Sequence, residues 1–206
     1  MSNSDIAQPE LAGIEIHGLT RSSFILKGAL AAGAVYGGSF VGPFVGQAFA
    51  AGGDVDILNF ALTLEYLESA FYKKALTLNL SGDVKTLAKE IGDHEDQHVM
   101  ALTATIKKLG GKPVSAPGVT FPMKDEAGFL KLAQVFEDTG VSAYNGAAPM
   151  IKSPEVLGAA GSIVQVEARH AAAIRLLNNA APAPDAFDRA LAKGQVLQAV
   201  KPFIKS

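Results

Sequence analysis

From Asp54 onward, apolar residues recur at three- and four-residue steps, as in Ile57, Leu58, Ala61, Leu62, Leu64 and Leu67, so one face of a helix is apolar. The spacing predicts a first helix from about Asp54, read as its N-cap, to about Leu78, where Ser81-Gly82-Asp83 turns the chain. A second helix runs from about Val84 to Leu109 and stops at Gly110-Gly111. A third spans about Glu126 to Ala148, ahead of Pro149. Ser153-Pro154-Glu155 then supplies a side-chain cap, a proline at the first helical position and an acidic first turn, starting a fourth helix that fades at Asn178-Asn179. The expected architecture is an all-α four-helix bundle.

The segment from Gly110 to Asp125 holds Pro113, Pro117 and Pro122 and suits neither helix nor strand. Extended, it reaches roughly 50 Å at about 3.3 Å per residue, whereas a helix of ~25 residues is ~38 Å long. The linker can therefore run the length of the bundle and set the second and third helices parallel. The short turns on either side make two antiparallel hairpins, giving one long crossover. Beyond Ala180, Ala181-Pro182-Ala183-Pro184 opens a tail, residues 181–206, with a short amphipathic segment from about Phe187 to Val200. That segment is expected to pack across the bundle or against a second subunit of a homo-oligomer.

The polar residues that interrupt the apolar faces repeat. Glu65, Tyr72, Glu95 and His98 recur 72 residues later as Glu137, Tyr144, Glu167 and His170, in a chain with only four histidines and four tyrosines. The neighbours of each glutamate one and two turns away are largely apolar: Leu58, Ala61 and Leu62 around Glu65, Ala88, Ile91 and Leu102 around Glu95, Leu130, Ala133 and Val141 around Glu137, Ala160, Ile163 and Ile174 around Glu167. Four inward carboxylates repel one another and need a cationic partner. Two helices giving one Glu each and two giving Glu-x-x-His form the ligand set of a dimetal site in a four-helix bundle. Two divalent ions would balance the four carboxylates and leave the imidazoles as neutral ligands. Glu68 falls outside the repeat, because Gly140 stands at the matching position; it is read as a solvated or supporting group, with an extra ligand as the alternative. His94 matches Val166 and is expected to face solvent. Tyr72 and Tyr144 either donate hydrogen bonds to the ligating carboxylates or fill the core.

Composition narrows the chemistry. There is no cysteine, which removes disulfides, thiolate catalysis and Cys-ligated metal, so any metal is held by O and N ligands. A net charge of −2 offers no footprint for nucleic acid. At 206 residues the chain suits one main domain, residues 51–180. Residues 1–50 differ in character: Gly28 to Ala50 carries no charge and ends in Ala48-Phe49-Ala50, a small-x-small sequence suited to signal cleavage. Upstream, Thr20-Arg21-Ser22-Ser23-Phe24-Ile25-Leu26-Lys27 resembles a twin-arginine export signal, with Ser22 where the second arginine belongs. The expectation is export to the periplasm or beyond, by either the twin-arginine or the general route, with no stable membrane association after cleavage. The alternative is an uncleaved anchor, which the glycines and Pro43 disfavour.

The stretch NFALTLEYLESAFYKKAL (Asn59 to Leu76), with DHEDQHV (Asp93 to Val99) and VEARHAA (Val166 to Ala172), resembles the ferritin-like superfamily. More narrowly, it is similar to exported bacterial ferritin-like domain proteins related to plant desiccation-associated proteins. The resemblance spans nearly all of residues 54–180 and implies a dimetal bundle holding iron or manganese. It leaves activity open, since the superfamily includes ferroxidases, peroxidases, manganese catalases and members with no assigned reaction. Rubrerythrin-type peroxidases feed electrons from a Cys-ligated iron domain, which this cysteine-free chain lacks. Fe(II) oxidation by dioxygen and disproportionation of peroxide need no built-in donor. The Pro-interrupted tail does not look like the fifth helix that closes a ferritin shell. Two readings follow: an exported dimetal oxidoreductase acting on dioxygen or peroxide, or a non-catalytic stress or interaction protein stabilised by its metals.

Overall fold

The structure, a computed structural model, describes residues 53–205. The export signal expected in residues 1–50, and its cleavage after Ala50, lie outside these. Four long helices form as the apolar periodicity dictates: α1 (Asp54–Ala75), α2 (Gly82–Lys108), α3 (Glu126–Ala147) and α4 (Pro154–Leu177). A 3-10 turn, Ala148–Met150, takes up the chain at Pro149, and a shorter helix, α5 (Lys193–Val200), ends in a second 3-10 turn, Lys201–Phe203. None of these helices is long and apolar enough to cross a membrane.

Capping chemistry explains the boundaries. Ser153 accepts a hydrogen bond from the Val156 amide at 3.3 Å with Pro154 just inside α4, and Asp125 caps α3 by accepting from the Gly128 amide at 2.8 Å. Gly110, at φ 75°, takes the left-handed conformation that ends α2. Asp54 departs from expectation. Gly53 holds the N-cap position of α1, and the Asp54 carboxylate instead accepts from the amides of Lys152 and Ser153, each at 2.8 Å. A loop presenting two unpaired amides is a better partner than one helix amide. α1 also stops at Ala75, short of Leu78, its last carbonyls taken up by turn amides.

The crossover runs as its length predicts. It leaves α2 beside the start of α1, where Asn59 donates to the Lys112 carbonyl (3.1 Å) and accepts from the Val114 amide (2.8 Å). It arrives beside the start of α2, where the Ser81 amide donates to Glu126 at 2.5 Å. The linker thus spans the bundle and α2 and α3 are parallel. The tail is helical only from Lys193, not from Phe187, which is exposed. Before that point the chain is held extended across α3, with the Leu191 amide donating to the Ser142 carbonyl (2.9 Å). A side chain at Gly146 would strike the Leu191 carbonyl, so that crossing requires glycine. Val196 and Val200 bury against the bundle, and Val119 pairs with Ile204 in an isolated antiparallel bridge.

Two apolar clusters fill the bundle. One, around Phe71, Phe129, Phe136 and Ile174, reaches from the α1–α2 turn along the side covered by α5 to Ile57 and Phe60; the other, around Leu58, Leu62, Leu102 and Ile106, lies toward the start of α1. Full burial of one such side chain is worth about 1.5–3 kcal/mol. The repeated glutamates and histidines lie buried at mid-helix beside these clusters, of which Tyr72 and Tyr144 are members, and the packing around them holds their backbones fixed.

Candidate metal centre

All four repeated glutamates are 0% exposed, and His98 and His170 are buried beside them. Their atoms form two groups. His98 Nδ1 lies 3.2 Å from Glu65 Oε2, 3.2 Å from Glu95 Oε2 and 3.0 Å from Glu167 Oε1. His170 Nδ1 lies 3.1 Å from Glu95 Oε1, 3.5 Å from Glu137 Oε2 and 3.8 Å from Glu167 Oε2. Glu95 and Glu167, one turn before their histidines, give one oxygen to each group, while Glu65 and Glu137 serve one group each. Every ligand atom within a group lies within 4.8 Å of the others, so each group can hold a metal ion.

The remaining oxygens of the two single-group glutamates are held by the tyrosines. Tyr144 donates to Glu65 Oε1 at 2.5 Å, and Tyr72 donates to Glu137 Oε1. Of the two roles open to the tyrosines, hydrogen bonding to the carboxylates is the one observed, and it crosses the molecule: each tyrosine serves the glutamate of the other hairpin. Glu95 Oε1, Glu137 Oε2, both oxygens of Glu167 and His170 Nδ1 are buried and, although 3.0–3.8 Å from an oppositely charged group, form no aligned hydrogen bond among the described residues. Buried polar atoms are rarely left so, and here all of them converge on the same centre. The donor set of carboxylate oxygens and imidazole nitrogens fits a divalent ion of the iron or manganese kind.

Without an ion, protons carry the compensating charge. Burial would lower the imidazoles, but the surrounding carboxylates of Glu167, Glu65 and Glu95 push His98 up to about 12, and those of Glu137, Glu167 and Glu95 push His170 up to about 12. Glu95 is buried, which alone would raise it, yet His170 and His98 beside it hold it down at about 2. Burial pushes Glu137 up to about 8, and burial together with the Glu167 charge raises Glu65 well above the carboxylate range. Two imidazoliums and protonated glutamates therefore stand where metal charge would stand.

The structure decides between the alternatives for Glu68 and moves His94. Glu68 is not solvated: it is 3% exposed, and burial followed by the Glu167 charge raises it well above the carboxylate range. It lies outside both ligand groups, packed over Gly140. Its place one turn after Glu65 put it on the inward face, a signal outweighed by the missing counterpart at 140. His94 is not simply solvent-facing either. Its Nδ1 lies 2.9 Å from His170 Nε2 and the two rings are nearly parallel, at 9°. A hydrogen bond to the outer nitrogen leaves His170 Nδ1 directed at the carboxylates. His94 precedes His98 by four residues, which places it on the adjoining part of the same face. Beside it a cleft of about 560 Å³ between α2 and α4, bordered by Gln97, Val166 and Arg169, reaches the outer edges of His98 and His170.

A family model described as "Ferritin-like domain" matches residues 53–180. Among solved structures, the chain is similar to a conserved hypothetical protein, rv2844, from Mycobacterium tuberculosis, at 20% identity and a TM-score of 0.57, covering 69% of this chain and 98% of that one. At that identity the likeness concerns the fold. No curated protein matches the chain. A crossover bundle with paired Glu and Glu-x-x-His groups at its centre, and a family match over most of the chain, lead to one conclusion: the chain belongs to the ferritin-like domain family.

Proposed function

We propose that the chain is an exported dimetal-carboxylate protein, with two ions of iron or manganese, acting in redox chemistry on dioxygen or peroxide. The observation that supports this is the convergence of buried carboxylate and imidazole atoms within ligand distance of one another, several of them without an aligned hydrogen bond among the described residues. Glu65, Glu95, His98 and Glu167 would hold one ion, and Glu95, Glu137, Glu167 and His170 the other. When bound, the pair would supply one-electron redox centres and Lewis acidity toward a small oxidant.

The residues around the site have separate tasks. Tyr72 and Tyr144 fix the orientation of Glu137 and Glu65 through their hydroxyls, so the inward oxygens are preset. His94 orients His170. The apolar clusters beside the site exclude bulk water, while the cleft beside His94 offers a path for a molecule as small as dioxygen or hydrogen peroxide. With no cysteine for an internal electron relay, Fe(II) itself or a second peroxide would serve as reductant.

Elemental analysis of the purified mature protein, reconstituted with Fe(II) or Mn(II), should give about two ions per chain. Turnover is then expected with Fe(II) and dioxygen alone, or with hydrogen peroxide alone, and Glu167→Ala should abolish both metal pairing and turnover. Absence of metal uptake would refute the reading. A loaded protein inert in both assays would favour the metal-stabilised stress protein. Mass spectrometry of protein from its native host should find a chain starting at Ala51; an intact Met1 terminus in the membrane fraction would refute export by cleavage.

A further inference from the structure

The pseudo-twofold repeat has a break inside the site. Glu68 stands on α1, and the position that matches it on α3 is Gly140. A Cβ built on Gly140 would lie 3.1 Å from Glu68 Oε1 and 3.6 Å from Glu167 Oε2. The Glu68 carboxylate therefore lies in space that any side chain at position 140 would crowd, near the Glu167 oxygen that faces His170. It is 3% exposed and makes no hydrogen bond or ion pair among the described residues. A small void, large enough for about one water, is lined by Glu68 with Leu64, Leu67, Phe136, Thr139, Gly140 and Val200, and the one other polar side-chain atom there, the Thr139 hydroxyl, donates to the Val135 carbonyl at 2.6 Å.

A carboxylate in such a place has no structural task. It neither caps a helix nor pairs with a cation, and its burial is unfavourable unless a positive centre is near. The same Gly140 position that Glu68 Oε1 approaches is also approached by Glu167 Oε2, an oxygen of the group formed by Glu95, Glu137, Glu167 and His170. Gly140 follows Glu137 by one turn of α3, which puts Glu68 on the flank of that group.

Resting on the dimetal reading above, we propose that Glu68 is a seventh protein ligand, reserved for the ion on the His170 side. It makes the two positions unequal. The His98 ion has Glu65 as its unshared carboxylate, whereas the His170 ion has Glu137 and Glu68. The second position is richer in oxygen and in negative charge, and it binds the harder or more highly charged ion more tightly.

The test is a titration of the chelator-stripped mature protein with Mn(II), following free ion by electron paramagnetic resonance. Wild type should take up two ions with unequal affinities. Glu68→Gln and Glu68→Leu should each weaken one of the two by at least about tenfold and leave the other within about twofold. Gly140→Ala, whose methyl group presses on the Glu68 carboxylate, should weaken the same ion, and adding it to Glu68→Gln should cause little further loss. The metal-free melting temperature of Glu68→Leu should equal or exceed that of wild type, which shows the fold is intact. Unchanged affinities in both Glu68 variants, or equal weakening of both ions, would overturn the ligand role while leaving the dimetal reading in place. A wild-type protein that takes up no Mn(II) or Fe(II) would overturn both.

Discussion

Tyr72 and Tyr144 show how one hydroxyl can govern a ligand it does not touch by sequence. Each presents a donor to a buried carboxylate, an interaction worth about 1.5–3 kcal/mol when the acceptor is charged. Tyr72→Phe should loosen Glu137 and so weaken the His170-side ion, and Tyr144→Phe should do the same for Glu65 and the His98-side ion; metal titrations on the two variants would show opposite ions affected. Loss of the same ion in both would contradict the crossed pairing. The six central Glu and His residues were legible because the repeat and the apolar flanks point the same way. His94 was misplaced, and Glu68 was left between solvent and a supporting role, because both lack a repeat partner, although helix phase alone puts both on or next to the inward face. What a linear pattern does not carry is the neighbour across the bundle: Gly140 opening space for Glu68, and His170 receiving His94.

At the scale of the elements, local chemistry predicted more than expected in some places and less in others. Ser153-Pro154 starts α4 as read, and the linker length alone gave the parallel α2 and α3. Asp54 looked like a cap for its own helix because it precedes the apolar run, but its carboxylate serves the loop before α4. That tie joins the first and last helices of the bundle. Asp54→Ala should cost about 1–2 kcal/mol by leaving two amides without their acceptor, seen as a lower urea midpoint with an unchanged slope. A shift below a few tenths would mean water replaces the carboxylate freely. The tail shows the opposite limit: its amphipathic pattern began at Phe187, yet the hydrogen bond from Leu191 to Ser142 holds the chain extended until Lys193.

For the whole molecule, the central charge cluster links stability to pH and to metal. His98 and His170 have folded values of about 12 against an ordinary 6.5, so their stabilisation of the metal-free protein is complete below about pH 6.5 and is lost as pH rises toward 12. Glu137, raised from 4.5 to about 8, acts in the same sense over that lower window, and Glu65 and Glu68 follow it in direction. Glu95 opposes them: its contribution is present above 4.5 and is lost as pH falls toward 2. Chelator-stripped protein should therefore melt at a lower temperature at about pH 8.5 than at about pH 6. Metal should protect more at the higher pH, since the ligands must shed protons to bind. Saturation at a hundred times the dissociation constant should add about 2.7 kcal/mol per site. A metal-free melting temperature that rises with pH over this range would contradict the charge assignment.

The crossed bonds from Tyr72 to Glu137 and from Tyr144 to Glu65 have an architectural consequence. A lone hairpin would carry a glutamate without the tyrosine that orients it, and a tyrosine without a glutamate to hold. Two copies of one hairpin, docked face to face, would satisfy every such bond. The 72-residue period therefore marks two half-sites that are complete only when paired, with the crossover as the joint between them. Within one chain the two halves need not be identical, and Gly140 opposite Glu68 is a position inside the site where they differ.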